Sequence, residues 1–198
     1  MPRVVDHQER RIKIIEATWR MIVRDGWEAA TMSAIATEAG FANGALRPYF
    51  ATKEDLLTAA FDHIYVQTGS RTIRATEGQH GIAALRSWCL EILPVDDITR
   101  DEARLVIPFW QVALIDDGLA EHHERAMDEW RARIRHYLTE AREAGEISTD
   151  LSDDQIIGHL LAALLGAQIT ASLLPSLETP QTLLSQLDGY LALLSPPV

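Results

Sequence analysis

Cysteine is nearly absent from this sequence of 198 residues, which contains only Cys89. A single cysteine excludes a disulfide within the chain and is typical of a protein kept in a reducing cytoplasm. Because Cys89 lies between Trp88 and Leu90, we predict a buried thiol rather than an exposed nucleophile. Residues 1–11 also lack an apolar signal core, so secretion is not expected and a cytoplasmic location is favoured.

Positive charge is scarce as well: 18 Lys and Arg residues oppose 29 Asp and Glu residues, for a net charge of −11. Taken alone, this balance argues against nucleic acid as a partner. The charges are unevenly distributed, however, because residues 1–53 carry 8 Lys/Arg and 6 Asp/Glu, whereas the remainder carries 10 and 23. A slightly basic N-terminal part on an acidic body is compatible with local binding to DNA.

The signatures of an enzyme are missing. The sequence has neither a glycine-rich phosphate loop nor a Ser/His/Asp arrangement, so we predict no catalytic residue, no metal site and no cofactor. The run Glu121-His122-His123-Glu124 is the best alternative for a metal, but adjacent histidines on a helix point about 100° apart. We therefore interpret residues 121–124 as a solvated helix face.

Strand-like alternation is also absent, and a hydrophobic period near 3.6 residues predicts an all-α protein. Residues such as Pro94 and Gly145 interrupt the helical pattern and separate one predicted helix from the next. Residues 77–81 are predicted to form a linker into a second domain. Pro108 predicts a kink within the helix over residues 100–116. The predicted helices are 7–25, a pair within 31–50, 53–72, 82–93, 100–116, 117–144, 152–173 and 179–194.

The most specific pattern lies between Thr31 and Phe50. Thr31 is suited to cap a helix, apolar residues follow at helical spacing, and Gly40 stands where a helix commonly ends. A second short helix is predicted over residues 43–49, with Leu46 and Phe50 facing inward. Together they predict a helix-turn-helix, a motif that places its second helix in the major groove of DNA.

Residues 10–60 resemble the N-terminal domain of TetR-family transcriptional regulators. The positions that carry this resemblance are Thr31, Ile35, Ala36, Ala39-Gly40, Gly44, Leu46, Tyr49-Phe50, Lys53 and Leu56-Leu57. The resemblance implies an N-terminal three-helix, helix-turn-helix DNA-binding domain, predicted here as residues 1–52. A larger C-terminal helical domain for ligand binding and dimerisation is predicted as residues 53–198. Trp110, Glu129-Trp130 and Gly145 further resemble the betaine-regulator branch of the family.

The resemblance also implies which residues contact DNA. They are Thr31, Ser33, Asn43, Gly44, Ala45, Arg47, Tyr49 and Lys53. Thr31 and Ser33 match phosphate-contacting positions, whereas Asn43, Ala45 and Arg47 match positions that face bases. Three alternatives stay open: Arg47 can hold phosphate instead of guanine, Asn43 can cap the second helix, and Tyr49 can belong to the core.

Two positions depart from the family pattern. Ala42 replaces a serine that often caps the recognition helix. The pair Arg47-Pro48 stands where relatives often carry aromatic residues or histidine. Because proline lacks an N–H and disfavours helix at the preceding residue, we expect the second helix to end early or bend at Arg47.

A small-molecule effector is expected to bind between helices of the second domain. Aromatic side chains there can line an apolar site and attract a cation to their ring faces, while a few polar groups orient the ligand. The candidate residues are His63, Trp88, Phe109, Trp110, Gln111, Trp130, Tyr137 and Gln168. Any one of them can instead be an ordinary core residue.

Residues 155–177 carry no charge, and their length alone would permit a membrane span. Polar residues such as His159 and Gln168, and the lack of a basic flank, favour a buried or subunit-interface helix instead. Paired with the amphipathic helix near the C-terminus, it is predicted to form a four-helix dimer interface, as the resemblance also implies. The predicted interface residues are Gly158, Ala162, Gly166, Leu183, Leu187 and Leu191.

The sequence therefore predicts a cytoplasmic, homodimeric, ligand-responsive repressor that binds a palindromic operator in double-stranded DNA and does not enter a membrane. The alternative is a helical ligand-binding or protein-interaction module that has lost DNA binding. Pro48 and the acidic balance are the features that favour this alternative. A small helical enzyme is a third hypothesis, for which no catalytic constellation is found.

Overall fold

The fold is all-helical, as predicted. The structure is a computed structural model that describes residues 7–195, within which no strand occurs. Its helices are α1 (His7–Asp25), α2 (Met32–Glu38), α3 (Lys53–Ala75), α4 (Gly81–Leu90), α5 (Asp97–Ala113), α6 (Asp117–Glu143), α7 (Asp153–Leu173) and α8 (Pro180–Ala192). Residues 1–6 and 196–198 lie outside the described residues. The outer ends of both predicted domains, and part of the N-terminal segment that lacks a signal core, fall in these two ranges.

Side-chain caps determine where α2 and α3 begin. The hydroxyl of Thr31 accepts a hydrogen bond from the N–H of Ala34 at 3.2 Å, so Thr31 caps α2 as predicted. The hydroxyl of Thr52 accepts from the N–H of Asp55 at 3.0 Å, and the Asp55 carboxylate accepts from the N–H of Thr52 at 2.9 Å. This reciprocal capping fixes the point at which the N-terminal helices give way to α3.

Replacing Thr52 with alanine should lower the free energy of unfolding by about 1 kcal/mol, since the first turn of α3 loses one of its two capping partners. Urea denaturation followed by circular dichroism measures this loss. Thr52→Ser retains a hydroxyl at the same position and should stay close to the wild type. Equal stability of Thr52→Ala and Thr52→Ser would contradict a capping role.

Residues 43–49, the recognition segment, differ from the predicted helix. They form consecutive turns rather than an α-helix. The N–H of Ala45 donates to the carbonyl of Ala42 at 3.0 Å, and the N–H of Tyr49 donates to the carbonyl of Leu46 at 2.8 Å; both bonds span three residues. Two residues explain the departure. Gly44 has a φ of +86°, which interrupts a right-handed helix, and Pro48 removes one N–H donor.

Two hydrophobic cores organise the helices. We call α1, α2 and the recognition segment the head, and the helices that follow the body. The head core joins the head to the first half of α3, and it also includes Leu105 and Phe109 of α5. The body core joins α4, α6, α7 and α8. Because α5 packs into the head core, the N-terminal helices are braced directly by the larger domain rather than held by α3 alone.

The predicted interface residues of α8 do not lie on an open surface of the subunit. Leu183, Leu187 and Leu191 of α8 are buried in the body core of their own subunit and are not free to meet a second copy. An apolar stripe on a helix can face its own core or a partner, and periodicity alone does not distinguish the two.

Helix α7 carries the other predicted interface residues. Ala162 is exposed. A Cβ atom built on Gly158 or Gly166 would meet no obstructing atom of the described residues within 4 Å, so the space beside both glycines is open. Of the helices in residues 7–195, α7 is the one long and apolar enough to cross a bilayer. Within its most apolar stretch of 18 residues, 39% is buried inside the protein. It packs against α5 and α6, so this face of α7 is the uncovered side of a core helix.

Candidate nucleic-acid interface and effector cavity

Four of the predicted DNA-contacting residues lie around one open groove. Ser33 at the start of α2 faces Asn43, Gly44 and Arg47 of the recognition segment across this groove. All four are exposed. The side chain of Asn43 forms no hydrogen bond within the described chain, so it does not act as the cap that was considered for it. The groove thus offers polar groups and one cation to a ligand outside the protein.

The remaining predicted contacts are partly engaged within the protein. Thr31 uses its hydroxyl as the α2 cap, and Ala45 is half-buried. The ring of Tyr49 is half-buried and lies 4.3 Å from the ring of His7, measured between centroids. Lys53 donates from Nζ to the carbonyl of Trp27 at 2.6 Å and lies 3.9 Å from the centre of the Trp27 ring.

Arg11 of α1 supports the recognition segment and was missed by sequence reasoning. Its Nη1 donates to the carbonyl of Tyr49 at 3.1 Å, and its guanidinium lies 4.3 Å from the centre of the Phe50 ring. A segment built from turns has few backbone bonds of its own, so this contact with α1 helps to hold it. No local signal in the sequence identifies a partner 38 residues away.

A cavity lies between four helices of the body, and its empty volume is about 460 Å³ when the space open to solvent is included. Each helix contributes residues at helical spacing, which places them on a single face. The polar and aromatic residues in its wall are Phe61, Tyr65 and Thr68 of α3, Thr99, Glu102 and Trp110 of α5, His123 and Trp130 of α6, and Gln168 of α7. Aliphatic residues and Met127 complete the wall, so the cavity is mainly apolar with a few polar groups.

Three of the eight predicted effector residues line this cavity: Trp110, Trp130 and Gln168. The other five predicted residues do not line it. Trp88 and Tyr137 belong to the body core and Phe109 to the head core, Gln111 is exposed, and His63 is half-buried outside the cavity wall. Phe61, Tyr65, Glu102 and His123 were not predicted to line it, because the apolar pattern does not reveal which faces of α3 and α6 meet.

Several polar groups in the cavity wall have no partner within the described residues. The ring nitrogens Trp110 Nε1 and His123 Nδ1 are buried and form no hydrogen bond. Gln168 is 5% exposed, and its side-chain amide forms none either. Burial, together with the neighbouring charge of His122, lowers the pKa of His123, which keeps its ring neutral near pH 7. Buried polar groups normally have partners, so these atoms are suited to bind a ligand or water.

Glu102 in the cavity wall belongs to a network of charges in which Glu102 is buried and its partners Arg71 and Glu91 are half-buried. Glu102 accepts from Nη1 and Nη2 of Arg71 at 2.6 and 2.7 Å and from the hydroxyl of Thr68 at 3.2 Å. Arg71 also donates from Nε to the carboxylate of Glu91 at 3.1 Å. Burial raises the pKa of Glu102, although the bonds from Arg71 oppose that shift. When both carboxylates are ionised, they share one guanidinium and leave a surplus negative charge.

The histidine pair on α6 does not form the solvated face that was predicted. His122 lies 2.6 Å from the Asp62 carboxylate through Nε2, and His123 lines the cavity; both are half-buried, whereas Glu121 and Glu124 are exposed. Residues 7–195 contain no cluster of three His, Cys, Asp or Glu residues that could hold a metal.

The prediction for Cys89 is confirmed, since its thiol is fully buried. Burial raises the pKa of this thiol well above its ordinary value. The protonated sulfur is therefore a weak nucleophile at neutral pH.

Two sequence families match the chain. Residues 14–60 match the family described as bacterial regulatory proteins, tetR family, and residues 81–196 match the C-terminal domain of the BetI-type transcriptional repressor. The second match covers more than half of the chain. Both families consist of regulatory proteins, in agreement with the prediction that the chain is not an enzyme.

Individual relatives agree with this assignment over parts of the chain. The regulator PksA of Bacillus subtilis is 52% identical over 60 residues, which are 30% of this chain and 29% of PksA. The regulator BetI of Paraburkholderia phymatum is 27% identical over 122 residues, which are 60% of this chain and 62% of that protein. The aligned segments therefore span less than two thirds of either relative.

Solved structures show the same fold across nearly the whole chain. A transcriptional regulator from Saccharomonospora viridis in complex with choline superposes with a TM-score of 0.86 at 21% identity, covering 93% of this chain and 96% of that one. A TetR regulator from Haloarcula marismortui gives a TM-score of 0.84 at 20% identity, covering 96% and 100%. The chain belongs to the TetR family of bacterial regulatory proteins and carries a C-terminal domain of the BetI type.

Proposed function

We propose that the protein is a cytoplasmic repressor whose operator binding as a homodimer is weakened by a small organic cation. The observation that carries this proposal is the presence, in one chain, of an exposed groove on the helix-turn-helix and a mainly apolar cavity in the body. Helices α3 and α5 contribute to both the cavity wall and the head core, so a ligand in the body can affect the head.

Each head binds one half of a palindromic operator. Two copies related by a two-fold axis insert their recognition segments into major grooves separated by about 34–36 Å or a multiple of this distance. Arg47 contacts a guanine edge or a phosphate, and Ser33 and Asn43 lie on the same groove.

Replacing Arg47 with alanine should lower operator affinity by about 1–3 kcal/mol, because the groove loses its one cation. Fluorescence anisotropy with a labelled duplex from the region upstream of the gene measures the effect. Arg133→Ala removes an equal charge from the exposed side of α6 and serves as the control. Equal losses in the two variants would remove Arg47 from the set of DNA contacts.

Dimerisation uses the uncovered face of α7. Gly158, Ala162 and Gly166 recur every four residues on this face, and small residues permit close contact between helices. Exposed apolar side chains, including Ile169 and Leu173, extend the face toward its C-terminal end. A symmetric partner presents the same surface, so both copies would bury it together.

The lining of the cavity supports the proposed effector class. Phe61, Tyr65, Trp110 and Trp130 supply aromatic rings that attract a cation, and Glu102 and Glu91 add a surplus negative charge to this attraction when both are ionised. The choline complex of the Saccharomonospora viridis regulator supports a quaternary ammonium group. The unpartnered nitrogens of Trp110 and His123 can hydrogen-bond to the remainder of such a ligand.

Isothermal titration of the purified protein with choline chloride tests this effector class, and the same titration on the protein–operator complex tests the repressor mechanism. We expect choline to bind and to lower operator affinity by about 5–150-fold, the usual range of coupling between two sites. Choline binding without any change in operator affinity would contradict ligand-responsive repression.

A second candidate is a ligand-binding module that no longer binds DNA. The observation that favours it is the recognition segment, which forms turns instead of an α-helix. Under this hypothesis the cavity would still bind a cation, but operator duplexes would show no binding, even at low salt where phosphate contacts are strongest.

A further inference from the structure

Glu102 and Arg71 connect the cavity to a helix that packs into the head core. Glu102 lines the cavity and is 6% exposed, whereas Arg71 lies on α3 outside the cavity wall. Both carboxylate oxygens of Glu102 accept from the Arg71 guanidinium, and one also accepts from Thr68, which lies three residues earlier on α3. A two-point bond of this kind fixes orientation as well as distance. Glu102 therefore holds one face of α3 against α5.

Helix α3 carries this contact to the head. The same helix begins at Lys53, separated from the recognition segment by three residues, and its first half lies in the head core. Helix α5 also reaches the head, because Arg104 donates from Nη1 to the carbonyl of Val23 in α1 at 3.2 Å. A shift of α3 relative to α5 would therefore change the position of the head relative to the body.

Arg71 has a second acceptor available. Its Nε donates to the Glu91 carboxylate at 3.1 Å, and its Nη2 donates to the Glu91 carbonyl at 3.1 Å. Glu91 follows α4 and, unlike the adjacent Ile92, does not line the cavity. The guanidinium is thus shared between a carboxylate that a ligand can reach and one that the ligand does not contact.

We propose that Glu102 and Arg71 act as a charge relay, in which a cation entering the cavity binds Glu102 and weakens its hold on α3. Arg71 then bonds mainly to Glu91, α3 is released from α5, and the two heads of the dimer lose their spacing. This relay rests on the proposed function and names the regulatory step within it. The ligand's positive charge, rather than its size, is what the relay detects.

Arg71→Lys tests the relay without changing the cavity wall. Lysine retains the positive charge beside Glu102 but cannot form the two parallel bonds that orient α3. We expect choline to bind the variant at least as tightly as the wild type, whereas operator affinity without choline should already be lowered toward that of the choline-saturated wild type, because α3 is no longer held against α5. The effect of saturating choline on operator affinity should fall from about 5–150-fold to less than about threefold.

Arg86→Lys is the matched control. Arg86 forms the same kind of two-point bond with Asp188, at 2.6 and 3.1 Å, but this pair joins α4 to α8 away from the cavity. The control should retain the wild-type response to choline. Should Arg71→Lys fail to fold, the double variant Arg71→Gln/Glu102→Gln removes both charges together, and at saturating choline it too should release operator less than about threefold.

The neutral carbon isostere of choline, dimethylbutanol, tests whether charge is detected. It should occupy the cavity of the wild type, as reported by tryptophan fluorescence, without releasing operator. Failure of choline to bind the wild type would refute the proposed effector class and the relay with it. Choline that binds and releases operator equally from the wild type and from Arg71→Lys would refute the relay alone, as would release by the isostere.

Discussion

Replacing Ala162 with glutamate should raise the dissociation constant of the dimer more than about a hundredfold, because an unpaired charge buried in an interface costs about 3–5 kcal/mol. Ala162 is exposed in the isolated subunit and lies between Gly158 and Gly166 on the open face of α7. In a two-fold dimer each glutamate would meet the same small-residue surface of the other copy. Specific operator binding should be lost together with the dimer, because a monomer contacts only one half-site.

Sedimentation velocity over a range of concentrations measures the dimer constant, and anisotropy with the operator duplex measures binding. Ala132→Glu introduces the same charge at an exposed position in the middle of α6 and should leave both quantities unchanged. Should Ala162→Glu remain dimeric at low micromolar concentration, another surface of the protein forms the dimer.

Replacing Phe109 with alanine should lower the free energy of unfolding by about 3–5 kcal/mol, the usual cost of removing a buried aromatic side chain. Phe109 is fully buried, and its ring stacks on that of Phe61 with centroids 3.9 Å apart. This contact joins α5 to α3 within the head core. Its loss would leave a cavity where the larger domain braces the N-terminal helices.

Urea denaturation of the dimer at constant protein concentration measures this loss. Phe109→Leu keeps most of the buried apolar volume and should be clearly less destabilised than Phe109→Ala. A loss below about 1 kcal/mol for Phe109→Ala would mean that the surrounding helices collapse into the space and that the aromatic stack contributes little.

Helix boundaries could be predicted because their causes are local. Thr31 and Thr52 cap the helices that follow them, and Gly40 has a positive φ just after α2. The recognition segment was predicted less well, although the signal was visible in the sequence. Pro48 suggested an early end, but the combination with a left-handed Gly44 leaves no α-helix over residues 43–49.

The cavity could be predicted only in part because it depends on packing between distant segments. Trp110, Trp130 and Gln168 were identified as large or polar groups in apolar helices, and the cavity includes them. Glu102 was not identified, since a buried carboxylate is not expected until its partner is known. That partner, Arg71, lies 31 residues away on another helix, and no periodic pattern links the two.

Which faces of α7 and α8 belong to the core of the subunit and which to a dimer interface also depends on packing between distant segments. The leucines of α8 form a stripe suited to a partner, yet they complete the body core of their own subunit. The small residues of α7 were assigned to the same interface, and they lie on its uncovered side. Only the arrangement of α5, α6 and α8 around α7 determines which stripe remains available.

The salt dependence of operator binding tests the central claim most directly, namely that this protein binds DNA through its helix-turn-helix groove. Phosphate contacts release counterions, so the logarithm of the association constant should fall linearly with the logarithm of salt concentration, with a slope of about −0.9 per contacted phosphate. The slope of the wild type should be several times this value, and Arg47→Ala should be shallower if Arg47 holds phosphate. An association constant that does not change between low and physiological salt, or no binding at low salt, would contradict the claim.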